Sequence, residues 1–206
     1  MSDKLDLHAM SSQYVDVLKE LGNIGAGNAM TALAQMLQCK VDMRVPLVRL
    51  LEFSEIGEVM GGEEQIMAGI YLAVDGDITG SIMFLLEKGS AMHLVEKLMG
   101  MPASEDGNFS EMEISALQEI GNIITGSYLN SLSAMTGLKI VPSIPALSID
   151  MAGAILSVPA IEFGLIGDNI LMIETQFSDD RDIEGYFILV PDLESYDKIL
   201  SSLGLR

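Results

Sequence analysis

The spacing of apolar and polar residues predicts that the first half of the chain forms a long helix, an extended segment, a β-hairpin and a short helix. Apolar residues recur every three or four positions between residues 11 and 38, which is typical of an amphipathic helix. Residues 41–53 have an extended pattern. Residues 65–74 and 78–86 are β-rich and are joined by Asp-Gly-Asp, a turn sequence typical of a hairpin. A short helix is predicted at residues 90–99. The apolar face of the long helix carries Tyr14, Val17, Leu18, Leu21 and Ile24.

The same order of elements is predicted a second time, after a polar and turn-like segment at residues 101–109. Ser110 and Glu113 form a capping-box pattern, so a second long helix begins there and continues to Thr136. The pattern of residues 151–158 fits either a helix or a strand. The other predicted elements are an extended segment at 139–149, strands at 169–177 and 183–190, and a closing helix at 193–203.

The two halves also share residues at matching positions. The sequence ELGNI at residues 20–24 recurs as EIGNI at residues 119–123, which is 99 positions later. Two copies are too few for a solenoid, whereas strands pooled in one sheet let both halves bury their apolar faces. We therefore predict an α+β fold in which residues 1–206 form a single pseudo-two-fold-symmetric domain from an internal duplication. Two long helices lie on the face of one β-sheet, with shorter helices beside them; the repeats cover residues 11–100 and 110–204.

Composition narrows the kinds of partner that the chain can have. Its 206 residues include 30 acidic and 11 basic ones, which gives a formal net charge of −19. Nucleic acids and anionic membrane surfaces attract clustered Lys and Arg, so neither is expected as a partner. The chain has one cysteine, and it shows neither a signal-peptide pattern nor a segment suited to membrane insertion. We expect a cytoplasmic protein without internal disulfides.

Each long helix carries a polar stripe with the same spacing. The stripe residues are Asp16, Glu20 and Asn23 in the first copy and Ser115, Glu119 and Asn122 in the second. Residues at i, i+4 and i+7 of a helix fall within a wedge of roughly 60°, so each set shares one face. Gly27 and Gly126 continue the stripes, where a missing side chain would let another protein come close. Pro46 and Pro145 each follow the asparagine by 23 residues and are expected to shape the entry to a strand.

Solvation is the simplest explanation of a polar helix face, and its retention in both copies makes a function an equally good explanation. The amide of asparagine can hold a water molecule, and glutamate can accept from that water or pair with a cation on a partner. No Ser–His pair and no metal site are predicted; His8 and His93 are the two histidines, and His93 is predicted to lie on a helix surface. Gly25-Ala26-Gly27 is a weak nucleotide motif, since no strand precedes it and Gly25 becomes Ile124 in the second copy. Such an incomplete set of groups suits an enzyme whose partner supplies the electrophile and the metal.

The doubled pattern Asp/Ser-x3-Glu-x2-Asn-x22-Pro resembles the CheC/CheX/FliY family of bacterial and archaeal chemotaxis phosphatases. The resemblance covers the whole chain, with no departure at the motif positions. It implies that the substrate is the phosphorylated response regulator CheY, whose aspartyl phosphate is hydrolysed. It further implies that Glu20 and Glu119 pair with a lysine of the regulator, while Asn23 and Asn122 orient the attacking water. The Mg²⁺ would belong to CheY, and this chain would carry no cofactor of its own.

The resemblance also implies a second partner, CheD, which would form a heterodimer with this chain; the free chain is expected to be a monomer. The small apolar segment at residues 149–159 is a candidate contact for CheD, with core packing as the alternative. Two other interpretations stay open. The chain could be a non-catalytic binding module for a response regulator or flagellar switch protein, regulated by CheD. The stripes could instead be structural, with Glu20 and Asn23 buried and hydrogen-bonded to the other repeat.

Overall fold

The computed structural model of this protein describes residues 12–44, 46–102, 108–163, 169–178 and 181–204. In the first half, the elements are α1 (Ser12–Leu37), β1 (Asp42–Met43), β2 (Leu47–Glu52), α2 (Ile56–Val59), β3 (Ile66–Gly76), β4 (Gly80–Glu87) and α3 (Lys88–Met99). In the second half, they are α4 (Glu111–Thr136), β5 (Ile140–Pro142), β6 (Ala146–Met151), α5 (Ala152–Phe163), β7 (Asn169–Ser178), β8 (Asp182–Pro191) and α6 (Leu193–Ser202). The order of elements is the same in both halves, although the duplication that this order suggests is still a prediction.

The eight strands of the described residues form one antiparallel sheet, in which the two halves exchange strands. β1 and β2 pair with β7, whereas β5 and β6 pair with β3. The hairpins β3–β4 and β7–β8 meet in the middle, where β4 pairs with β8 and Phe84 lies opposite Phe187. Because the first strands of each half are held by the hairpin of the other half, neither half completes a sheet alone. The chain therefore forms a single domain, and the α+β class predicted from the sequence is confirmed.

Helices cover both faces of this sheet. α1, α3, α4 and α6 contribute to the core on one face, and α2 and α5 contribute to a second core on the other. Beneath the long helices, the rings of Phe84 and Phe187 have centroids 4.7 Å apart, and Tyr128 of α4 stacks on Phe187 at 5.3 Å. The helix that carries the second stripe is thus anchored on the central pair of strands.

Two predicted helix ends are found where their sequences place them. The backbone N–H of Glu113 donates to Ser110 Oγ at 3.4 Å, and the Ser110 N–H donates to the Glu113 carboxylate at 2.7 Å, so the capping box of α4 is complete. Gly100 ends α3 with φ 66°, a left-handed conformation that glycine adopts without strain, and its N–H donates to the Glu96 carbonyl at 2.9 Å. Both ends are set by local hydrogen bonds.

Three predictions about individual segments were wrong or incomplete. Strand β3 continues through Gly76, so the turn of the first hairpin comes later than Asp-Gly-Asp indicated. The ambiguous segment after β6 is the helix α5, because residues at helical spacing, Ala152, Ile155 and Leu156, pack on the second face of the sheet. His93 is only 5% exposed and not on the surface, because α3 packs against α4 and against strands β3 and β4.

Candidate functional site

Both Glu/Asn pairs lie on the faces of α1 and α4 that point away from the sheet. Glu20, Glu119 and Asn122 are exposed, and Asn23 is half-buried. Because each Asn follows its Glu by three residues, their Cβ atoms are about 5–6 Å apart. Neither glutamate forms an ion pair or a hydrogen bond with any residue that the structure describes. Both carboxylates are therefore open to a partner, and the buried, cross-bonded arrangement required by the purely structural interpretation is not found in this part of the chain.

Asn23 and Asn122 differ in their surroundings. The Oδ1 atom of Asn23 is buried and has no hydrogen-bond partner among the described residues, whereas the side chain of Asn122 is exposed. An unpaired buried acceptor destabilises a fold by roughly 1–3 kcal/mol. The buried oxygen of Asn23 therefore lowers the stability of the fold. The two candidate sites also differ in how accessible their asparagines are.

The supporting residues of the motif include one with a hydrogen bond inside its own helix. Ser115 is exposed, but its hydroxyl donates to the Glu111 carbonyl at 3.0 Å within α4, so it is engaged by its own helix. Asp16 is exposed on α1. Pro46 directly precedes β2, and Pro145 directly precedes β6; their role in shaping the entry to each strand stays a prediction. No feature of these four residues adds a reactive group to the site.

The glycines of the long helices divide into two kinds. A Cβ atom at Gly25 would lie 2.5 Å from the Tyr128 ring, so this glycine is required where α1 crosses α4. The same atom at Gly121 would lie 2.6 Å from Ile70 of the sheet, so that glycine is also required by packing. By contrast, a Cβ at Gly27 would meet only Met43, at 3.8 Å, and one at Gly126 would meet nothing within 4 Å. Packing therefore explains Gly25 and Gly121, which lie off the stripe, and leaves Gly27 and Gly126 on the stripe unexplained.

A shallow groove runs between the two stripes where α1 and α4 pack together. Asn28 Nδ2 donates across it to Ser131 Oγ at 2.8 Å. Its lining consists of Asn28, Thr31, Ala32 and Gln35 of α1 together with the four residues 99 positions later in α4. From Leu21 to Leu37 and from Ile120 to Thr136 there is no charged residue, although the chain has a net charge of −19. The two glutamates thus border an uncharged surface, which suits a partner that brings a basic group to each stripe.

One apolar residue of the stripe region was placed wrongly by its helical position. Ile24 directly follows Asn23 and was predicted to belong to the buried face, but it is 36% exposed. Leu18 and Leu21 on the same predicted face are buried. Ile24 sits at the edge of the apolar face, so the neighbouring helix and not the periodicity alone decides whether it is covered.

Neither a metal-binding group nor a membrane-spanning helix is found in the part of the chain that the structure describes. Among the described residues, no group of three or more His, Cys, Asp or Glu side chains is arranged to hold a metal ion. No helix in the described ranges has the length and apolar character needed to cross a membrane. The outer faces of α1 and α4 are therefore the best candidate for a functional surface.

The fold defines the class of protein to which this chain is related. It is similar to FliY of Thermotoga maritima, with a TM-score of 0.75 and 20% identity over 95% of this chain and 98% of that one. It is also similar to CheX in a complex with CheY, BeF₃ and Mg²⁺ from Borrelia burgdorferi, with a TM-score of 0.54 and 20% identity over 86% of this chain and 97% of that one. The chain thus has the fold of a group of chemotaxis and flagellar-switch proteins.

Sequence comparison identifies the family. The model of the CheC-like family matches residues 15–48 and 112–149, two segments that contain both Glu/Asn pairs and both motif prolines. The chain is 36% identical over 202 residues to the CheY-P phosphatase CheC of Bacillus subtilis (strain 168), covering 96% of this chain and 97% of that protein. It is 29% identical over 136 residues to the flagellar motor switch phosphatase FliY of the same organism, covering 64% of this chain and 34% of FliY. This chain belongs to the CheC-like family.

Proposed function

We propose that this chain is a phosphatase that hydrolyses the aspartyl phosphate of phosphorylated CheY and thereby ends a chemotaxis signal. The observation that carries this proposal is the 36% identity to a CheY-P phosphatase over 96% of the chain. A relative in fold, CheX, forms a complex with CheY, BeF₃ and Mg²⁺. The Glu/Asn pairs on the outer helices, of which Glu20, Glu119 and Asn122 are exposed, support the proposal.

In this proposal, each glutamate docks the regulator and each asparagine positions the water. The carboxylate of Glu20 or Glu119 pairs with the regulator's lysine and lays the helix across the phosphorylated aspartate. The amide of Asn23 or Asn122 holds a water in line with the phosphorus. The oxygen of that water forms the new bond to phosphorus while the bond to the aspartyl oxygen breaks, so inorganic phosphate and a free carboxylate result. The regulator holds the Mg²⁺, and no metal is required of this chain.

The uncharged surface between the stripes supports the docking role of the glutamates. A charged docking face of a chain with a net charge of −19 would repel an acidic partner site, whereas a neutral face with one glutamate at each border limits that repulsion. On α4, which has no Lys or Arg, Glu119 then pairs with a lysine of the partner without competition from a base on its own helix. The stripe glycines, Gly27 and Gly126, leave room for the partner's backbone.

The alternative is a binding module that grips a regulator or a flagellar switch protein without turnover. The exposed glutamates would serve both functions. Binding without turnover, however, gives no reason to keep Asn23, whose buried oxygen lacks a hydrogen-bond partner. The test is the rate of phosphate loss from phosphorylated CheY with Asn23→Ala, Asn122→Ala and the double variant. We expect each single variant to keep part of the rate and the double variant to lose it. A double variant with the full rate would rule out the catalytic role of asparagine and favour the binding module.

The proposed partnership with CheD rests on the family resemblance, and α5 is our candidate for the contact. The outer side of this helix leaves Val158 51% and Ile161 81% exposed, while its inner side packs on the sheet. Replacing Val158 and Ile161 together by serine should abolish co-purification with CheD and leave the unfolding temperature unchanged within about 2 °C, since exposed apolar side chains contribute little to stability. Retained co-purification would place the contact elsewhere.

A further inference from the structure

Met112 is a large apolar side chain on the second stripe that the proposed mechanism does not use. It is 66% exposed. It lies seven residues before Glu119 on α4, and residues seven apart differ by only about 20° around a helix. Met112 therefore extends the face that carries Ser115, Glu119 and Asn122 by two turns towards the start of the helix.

The backbone of Met112 has a defined position at the start of α4. Met112 is in the first turn of α4, directly beside the completed capping box of Ser110 and Glu113. The box fixes the beginning of the helix, so a protein that docks on Glu119 meets Met112 on an ordered frame and little further ordering is needed. The side chain itself stays flexible and polarisable, which lets it adapt to an irregular apolar surface.

The first copy has a polar residue at the matching position. Gln13 precedes Glu20 by seven residues, as Met112 precedes Glu119. Single exposed apolar side chains are common on protein surfaces, so exposure alone would not distinguish Met112. Its alignment with the docking glutamate does distinguish it, because any partner that reaches Glu119 along this face also covers the turns beside it. The two stripes therefore differ in the residue type seven positions before the glutamate, as well as in the accessibility of their asparagines.

We propose that Met112 is a specificity-determining contact of the second site, which packs on an apolar part of the surface of phosphorylated CheY while Glu119 pairs with its lysine. The inference rests on the proposed function, since it takes CheY as the partner. It adds that the second site binds the regulator more tightly than the first. Burial of the methionine acts equally on the bound substrate and on the transition state, so it lowers KM and leaves kcat unchanged.

The test isolates the second site and replaces the methionine by the residue of the first copy. In a chain that already carries Asn23→Ala, Met112→Gln should raise KM for phosphorylated CheY about three- to tenfold at constant kcat, which corresponds to losing part of the burial of one methionine. Met112→Leu should keep the original KM, because it retains an apolar side chain of similar volume. Ile144→Gln is the matched control: Ile144 is 91% exposed, lies in the connection between β5 and β6, and should leave both constants unchanged.

The outcomes separate this inference from the proposed function. A KM that is unchanged by Met112→Gln, or raised equally by Met112→Leu, overturns the apolar contact. The proposed function is tested independently in the same assay by Asn23→Ala combined with Asn122→Ala. Loss of turnover in that double variant, together with an unchanged KM for Met112→Gln, would reject the contact and keep the phosphatase.

Discussion

Replacing Gly126 by alanine should make the fold more stable and the proposed enzyme weaker. Alanine is favoured over glycine inside a helix by about 1 kcal/mol, and a Cβ at Gly126 meets no atom within 4 Å, so no clash offsets this gain. For a chain of this length, about 1 kcal/mol raises the unfolding temperature by about 2–4 °C. If the missing side chain admits the backbone of CheY, the new methyl group forces the partner outward. KM should then rise about tenfold for each 1.4 kcal/mol of binding that is lost.

The measurement combines thermal unfolding with steady-state dephosphorylation in the Asn23→Ala background, where turnover reports the second site. Gly89→Ala controls for helix propensity: a Cβ at Gly89, in the first turn of α3, also meets nothing within 4 Å, so stability should rise at constant KM. Gly25→Ala controls for packing, because its Cβ would lie 2.5 Å from the Tyr128 ring and overpacking costs about 1–3 kcal/mol. A Gly126→Ala chain that is stabilised but keeps its KM would refute the close-approach explanation. A destabilised one would refute the propensity argument.

Three further predictions follow from groups described above. Asn23→Ala removes a buried unpaired oxygen and should raise the free energy of unfolding in urea by about 1–3 kcal/mol. It should also remove turnover at the first site. A lower free energy of unfolding would show that Oδ1 has a hydrogen-bond partner. Burial raises the pKa of the Tyr128 phenol in the folded chain. The neutral phenol therefore contributes fully to the free energy of unfolding below the unfolded pKa of about 10, and this contribution is lost at higher pH. Tyr128→Phe should therefore show a shallower loss of stability above pH 10 than the parent, and parallel pH profiles would contradict this. Ser110→Ala breaks the capping box and should lower the free energy of unfolding by about 1 kcal/mol in urea; no change would mean that the cap is dispensable.

Most of the order of elements could be predicted because its signals are local, although the short helix α2 was not predicted. The periodicity of α1 and α4, the capping box at Ser110 and Glu113, and the left-handed Gly100 each depend on residues close together in sequence. The pairing of strands could not be predicted in this way. Leu47 of β2 pairs with Glu174 of β7, and no nearby residue specifies which hairpin an extended segment will join.

In the candidate site too, features that depend on nearby residues could be predicted, and features that depend on tertiary packing could not. Helical spacing alone put Glu20 and Asn23 on one face, and the structure finds both on the outer side of α1. The covered Oδ1 of Asn23, the exposure of Ile24 and the need for glycine at residue 25 all depend on what packs beside α1. Such features require the position of the neighbouring helix and strands, which helical periodicity does not contain.

The exchange of strands between the halves has a consequence for how the chain folds during synthesis. Leu47 of β2 can pair with the sheet only after Glu174, a residue 127 positions later, has been synthesised. At about 5–20 residues per second, ribosomes need about 6–25 s to make that stretch. Contacts of such long range are slow to form, and the apolar side of α1 has no finished sheet to cover in the meantime. The first stripe is therefore made early but becomes a usable surface only when β7 and β8, which are made after the other described strands, close the sheet beneath it.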